Sequence, residues 1–204
     1  MTGWLPLYLR SRRLPAALAA SVGAVLVVWA AWAAFSRDHE VGRGLTVLTV
    51  ALALAPVIPT LAGHDDSLES TAALRWPPRR AVHLLACGAL VTAALALFGV
   101  TSTTFGPFGQ LARDTAGLTG LMGLSVALLG TRLAWAPPIG WTAVQILFGV
   151  PDGAAWHRAL FWLVQDPSDR TAATTATLLL LTGVLAYALR PGPSVSPTET
   201  TMQQ

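Results

Sequence analysis

The sequence predicts an all-α, polytopic integral membrane bundle of six transmembrane helices. Both termini are expected on the cytoplasmic side, with a short cytoplasmic helix between spans two and three. Three observations carry this expectation. Hydrophobic residues make up 53% of the chain and charged residues 11%, against roughly 25% charged in ordinary soluble proteins. The charged residues collect between long apolar runs instead of alternating with them, which is the pattern a bilayer imposes. The arginines, finally, are unevenly shared among the connecting segments.

The chain opens on MTGWLPLYLRSRR, in which Trp4, Leu5, Leu7, Tyr8 and Leu9 precede Arg10, Arg12 and Arg13. Such a segment suits the interface, rings toward lipid and guanidinium groups toward anionic headgroups. Ser11-Arg12-Arg13 also resembles a twin-arginine export signal. The apolar run that follows, Leu14–Phe35, exceeds the usual length of a signal core and reads as the first span. The second span is Gly44–Ala62, with Pro56 and Pro59 expected to kink or break it near its end.

A polar interruption, GHDDSLESTAALRWPPRR (63–80), separates spans two and three. Asp66 and Glu69 have the spacing of a capping box, Asp66 as N-cap and Glu69 at the third helical position. A helix over Ser67–Arg75 is expected to end at Pro77 and Pro78. Asp65, Asp66 and Glu69 complement its N-terminus and Arg75 its C-terminus. The segment is either a solvated connector or a built docking element.

The third span is Ala81–Val100, and Thr101–Asp114 forms a Gly/Thr/Phe-rich connection. The fourth span, Thr115–Leu133, carries Thr119, Gly123, Ala127 and Thr131 at a spacing of four. That stripe of small residues allows close helix approach and reads as packing. Ala136–Val150 opens with Pro137-Pro138 and has 15 residues, too few to cross a core about 30 Å thick at 1.5 Å per residue. It is expected to be a broken span, with Ala154–Val164 a re-entrant or interfacial helix after it. The last span is Thr171–Leu189, which makes residues 1–190 one transmembrane domain, and Pro191–Gln204 is a polar tail expected to be disordered.

With the N-terminus inside, the inner segments hold Arg10, Arg12, Arg13, Arg75, Arg79, Arg80, Arg132 and Arg190. The outer ones hold Arg37, Arg43, Arg113, Arg158 and Arg170. Eight against five follows the positive-inside rule.

The chemistry is sparse. The chain contains no Lys, so the P-loop lysine that reaches nucleotide phosphates is absent. No basic run is interleaved with aromatics as a nucleic-acid surface requires. No His-Glu-x-x-His helix and no Gly-x-Ser-x-Gly elbow appears, so no catalytic set is expected. His39 and His157 fall outside and His64 inside, so they do not combine as metal ligands, and no cofactor is called for. His83 lies near the start of span three, and Cys87, the single cysteine, reads as a small buried hydrophobe. No carboxylate falls within the spans as drawn, which argues against an ion-coupled carrier. Gln145 is the strongly polar group well inside a span, explained by a hydrogen bond to a neighbouring helix.

Together these features resemble the membrane subunits of type-2 ABC exporters. In that family an N-terminal elbow helix precedes the first span, and a coupling helix between spans two and three docks on a separate ATP-binding subunit. The resemblance puts the elbow at Trp4–Arg13, the coupling helix at Ser67–Arg75 and the outer re-entrant helix at Ala154–Val164. It implies that Asp66, Glu69, Thr71 and Arg75 contact the ATPase. It further implies a second permease copy or paralogue as partner and a place in a bacterial plasma membrane. The Leu68-Glu69-Ser70-Thr71-Ala72 run is similar to small permease components of high-GC Gram-positive bacteria, whose genomes produce the Ala/Arg bias seen here. The alternative reading is a non-transporting membrane protein, an accessory, immunity or structural factor.

Overall fold

The architecture follows from where apolar runs are long enough to close their own backbone hydrogen bonds across a membrane. A computed structural model describes residues 14–62, 76–101, 103–149, 151 and 153–189. Helix α1 is Leu14–Phe35, α2 Arg43–Leu54, α3 Trp76–Leu97, α4 Phe108–Leu133, α5 Ala136–Phe148, α6 Ala155–Leu160 and α7 Arg170–Leu189. Short 3-10 turns extend α2 over Ala55–Leu61, α3 over Phe98–Val100 and the α6 segment over Trp162–Val164. The described residues contain no strand, only a bridge pairing Glu40 with Thr104.

Among the described residues, five stretches are long and apolar enough to cross a membrane: Leu14–Phe35, Arg43–Leu61, Pro77–Leu97, Phe108–Leu133 and Arg170–Leu189. Their perimeter exposes Val27, Leu97, Leu128, Leu178, Leu181 and Leu185, a belt that water would not tolerate at this extent and lipid does. The fold is that of a multi-pass membrane protein.

Several boundaries differ from the sequence expectation, each for a local reason. The α2 helix does not break at Pro56. It tightens into a 3-10 helix through Pro59 and remains continuous with the span. Pro77 and Pro78 open the described part of α3, and the Ser67–Arg75 helix they are expected to end lies outside the described residues. They stand in the first turn of α3, where a missing N–H leaves no bond unmade, so the helix begins at Trp76 instead of Ala81. Pro107 likewise caps α4, which starts seven residues earlier than expected and takes in Arg113 and Asp114. The expected absence of a carboxylate from the spans is therefore corrected: Asp114 lies in the second turn of a membrane-length helix. At the far end of α4, Gly130 has φ 72° and breaks the helical path before Thr131, a conformation open to glycine.

Helix α5 is 13 residues long, about 20 Å, short of the roughly 30 Å hydrocarbon core. The chain nonetheless returns between α4 and α7, because those two helices run parallel. Gly120 lies against Leu179 and Leu180, and Gly123 against Gly183, so numbers rise together along the pair. Two ends of the bundle result. At one, which we call the re-entrant end, Val41 N–H donates to the Thr104 carbonyl and Thr104 N–H to the His39 carbonyl, each at 2.8 Å. Trp29 Nε1 donates to the Thr103 carbonyl at 3.1 Å. At the other, the terminal end, the Tyr187 hydroxyl donates to the Leu61 carbonyl at 2.9 Å. Thr60 Oγ1 there lies 3.1 Å from His83 Nε2. Leu14, Ala62, Trp76 and Leu189 all stand at this terminal end.

Candidate functional site

The densest polar chemistry lies at the re-entrant end, where broken chain enters the bundle. After α5 the backbone turns at Gly149 and forms the single-and-a-half-turn α6. A 3-10 turn at Trp162–Val164 then leads into the extended residue Gln165. Non-helical backbone at membrane depth leaves carbonyls without partners unless protein supplies them. Two arginines supply them here. Arg43, the first residue of α2, donates from Nε and Nη2 to the Leu163 carbonyl at 3.0 and 2.9 Å, and from Nη2 to the Gln165 carbonyl. Arg113 donates from Nη1 to the Asp166 carbonyl at 2.7 Å and from Nη2 to the Gln165 carbonyl at 3.1 Å. The Leu163 peptide is held on its other side too, its N–H donating to Gln145 Oε1 at 2.8 Å. Gln145 thus bonds the re-entrant turn, not a neighbouring helix as its position in the sequence suggests.

Charge is partly balanced by Asp114, fully buried at 0% exposure. Its Oδ1 accepts from Arg113 Nε at 3.0 Å and forms an ion pair with Nη2 at 3.0 Å. Its Oδ2 has no partner, and neither does Gln145 Nε2. The three elements α2, α4 and α5 therefore converge on one irregular strand of chain through side-chain to backbone bonds. Trp162 is seated deeper: a Cβ at Gly117 would lie 2.6 Å from its Cζ3, so only glycine admits the indole. Bordering this cluster, Asp169 caps α7, its Oδ1 accepting from Ala172 N–H at 2.8 Å and its Oδ2 from Arg158 Nη1 at 3.0 Å. The Ala172 N–H, then the Arg158 charge, hold the Asp169 carboxyl below its ordinary value. Asp166 is also held low, by the Ser168 hydroxyl first and the Ser168 N–H second.

The candidates read from sequence fall elsewhere. Asp66, Glu69, Thr71 and Arg75, the coupling candidates, lie outside the described residues, as does the Trp4–Arg13 elbow segment. The residues on either side, Ala62 and Trp76, stand at the terminal end. Of the packing stripe, Thr119, Gly123 and Ala127 are buried. A Cβ at Gly123 would sit 2.8 Å from both the Gly183 carbonyl oxygen and Leu84 Cδ2. Thr131 lies beyond the Gly130 break, half-buried and out of line with the other three. The tightest contact is one residue from the stripe, between Gly120, next to Thr119, and Gly183. His83 lies 3.9 Å from Cys87 Sγ through Nε2, and His157 stacks on Phe161 at 4.6 Å.

Sequence reading missed Arg43, Arg113, Asp114 and Gln165. The available signal was Pro107 as a helix start, which would have drawn Arg113-Asp114 into a span and marked them as intramembrane charge. Comparison with protein-family models, with curated proteins and with solved structures finds no match for this chain.

Proposed function

We propose that the chain is the transmembrane subunit of an ATP-binding-cassette exporter in a bacterial plasma membrane. It pairs with a second permease copy or paralogue and couples through residues 67–75 to a separate ATP-binding subunit. The observation that carries the reading is the polarity of the bundle. Leu14, Ala62, Trp76 and Leu189, which border residues 1–13, 63–75 and 190–204 in sequence, stand at the terminal end with Arg79, Arg80 and Arg132. The broken α5–α6 segment and Arg37, Arg43, Arg113, Arg158 and Arg170 are at the opposite end. Counting Arg10, Arg12, Arg13, Arg75 and Arg190 of the adjoining sequence segments with that end gives eight arginines against five, which favours it as cytoplasmic. The same end is where a cytosolic ATPase would dock, which puts the α6 segment outside and counts six passages of the chain, α5 being the short one.

Purification in mild detergent, followed by identification of co-eluting subunits, tests this. An ATP-binding subunit in stoichiometric yield is the expected result. A chain that purifies alone, or with a partner lacking any nucleotide site, contradicts it and favours the accessory reading.

A further inference from the structure

The terminal end of the bundle carries a basic rim whose charge the described chain leaves unbalanced. Arg79, in the first turn of α3, and Arg132, in the last turn of α4, are both exposed. Among the described residues no carboxylate pairs with either. In sequence the carboxylate nearest Arg79 is Glu69, and the one nearest Arg132 is Asp114. The re-entrant end is arranged differently. There Arg113 and Arg158 pair with Asp114 and Asp169, each at 3.0 Å, and Arg43 is committed to backbone carbonyls. Arg37 and Arg170 adjoin Asp38 and Asp169 in sequence. The eight arginines of the terminal end and its adjoining sequence segments are accompanied by four carboxylates, Asp65, Asp66, Glu69 and Glu199. The five arginines of the other segments are accompanied by six: Asp38, Glu40, Asp114, Asp152, Asp166 and Asp169.

The rim stands directly on apolar surface. Helices α3 and α4 run antiparallel, since a Cβ at Gly88 would meet Thr119 and one at Gly123 would meet Leu84. That register sets Arg79 level with Leu128, and Arg132 lies about one turn further out. Their apolar neighbours Val82, Leu128 and Leu133 are 64%, 68% and 56% exposed, and Trp135 is 50% exposed. An apolar perimeter that gives way to arginine and tryptophan within a turn marks the depth of lipid headgroups. The lipids that cover Val82 and Leu128 therefore place their phosphates at the height of Arg79 and Arg132. A planar guanidinium matches phosphate oxygens in pairs.

We infer that the Arg79–Arg132 rim binds anionic lipid headgroups in preference to zwitterionic ones. The chemistry of the headgroup makes the distinction. In a phosphatidylcholine the ammonium offsets the phosphate charge, whereas a phosphatidylglycerol leaves that charge for the guanidinium groups. The apolar belt beneath the rim makes membrane lipid, not a dissolved anion, the source of the phosphate. The site depends neither on an ATPase partner nor on which leaflet the rim faces.

The test uses the purified full chain in mild detergent, mixed with equimolar phosphatidylglycerol and phosphatidylcholine of the same acyl composition. Retained lipids are counted by native mass spectrometry. Phosphatidylglycerol should be retained over phosphatidylcholine, and Arg79→Gln and Arg132→Gln should each lower that preference about fivefold. Arg79→Lys with Arg132→Lys keeps the charge and should keep most of the preference. Arg170→Gln, an exposed arginine at the opposite end, should leave it unchanged. Equal retention of the two lipids by the unaltered chain would overturn the inference. So would an undiminished preference in the double glutamine variant, or a lysine pair that retains no more than the glutamine pair. A loss in Arg170→Gln as large as that in Arg79→Gln would reduce the effect to overall charge and equally overturn it.

Discussion

Arg113 is the residue on which the re-entrant end most depends, because it serves a buried carboxylate and two backbone carbonyls at once. Breaking a buried ion pair by removing one partner costs about 3–5 kcal/mol. Arg113→Ala should therefore sharply lower thermal stability in detergent. Asp114→Asn keeps a group able to accept from Arg113 and should cost clearly less. Equal stability of the two variants, measured by fluorescence-detected unfolding, would show that the carbonyl bonds of Arg113 are dispensable. Asp169 gives a pH signature. Its carboxyl is lowered from an ordinary value of 3.8, so the unfolded chain binds the proton more readily. The stabilisation is complete above about pH 4 and is lost as pH falls through the lower folded value. Asp169→Asn should flatten the dependence of melting temperature on pH below 4 and leave the rest of the profile unchanged.

Between elements, the α4–α7 pair has the closest backbone approach, and its parallel course is what lets a short α5 serve as the return. Gly183→Leu adds a branched side chain against the Gly120 carbonyl, and Gly123→Leu does so against Gly183. Overpacking of this kind costs about 1–3 kcal/mol. Both variants should elute late or aggregated, and Gly109→Ala, in open space, should behave as wild type. Normal elution of Gly183→Leu would mean that the pair separates freely. The sequence made much of this level readable. Apolar runs located the five long helices among the described residues, three of them to within one residue at each end, and the short length and paired prolines of 136–150 marked α5 as incomplete. It misjudged starts where proline was involved. A proline ends a helix or opens one depending on which side the apolar run continues, and at Pro77 and Pro107 the run continues after it. The arginine cluster stayed hidden for the same reason, since its meaning arises only when α2, α4 and the turn at 163–166 meet in space.

At the scale of the whole molecule the bundle is polar: Leu14, Ala62, Trp76, Leu189 and three described arginines stand at one end, the broken segment at the other. With Cys87 replaced, a cysteine at Ser168 should react with an impermeant thiol reagent added to intact cells, and one at Ser67 should not. Reaction at Ser67 would invert the bundle. The central claim is that residues 67–75 couple this chain to an ATPase, and replacing Ser67–Arg75 with a Gly/Ser linker of equal length tests it most directly. The account predicts a protein that inserts and elutes normally but no longer co-purifies with its ATP-binding subunit. A linker variant that still recruits the subunit in full yield would contradict it.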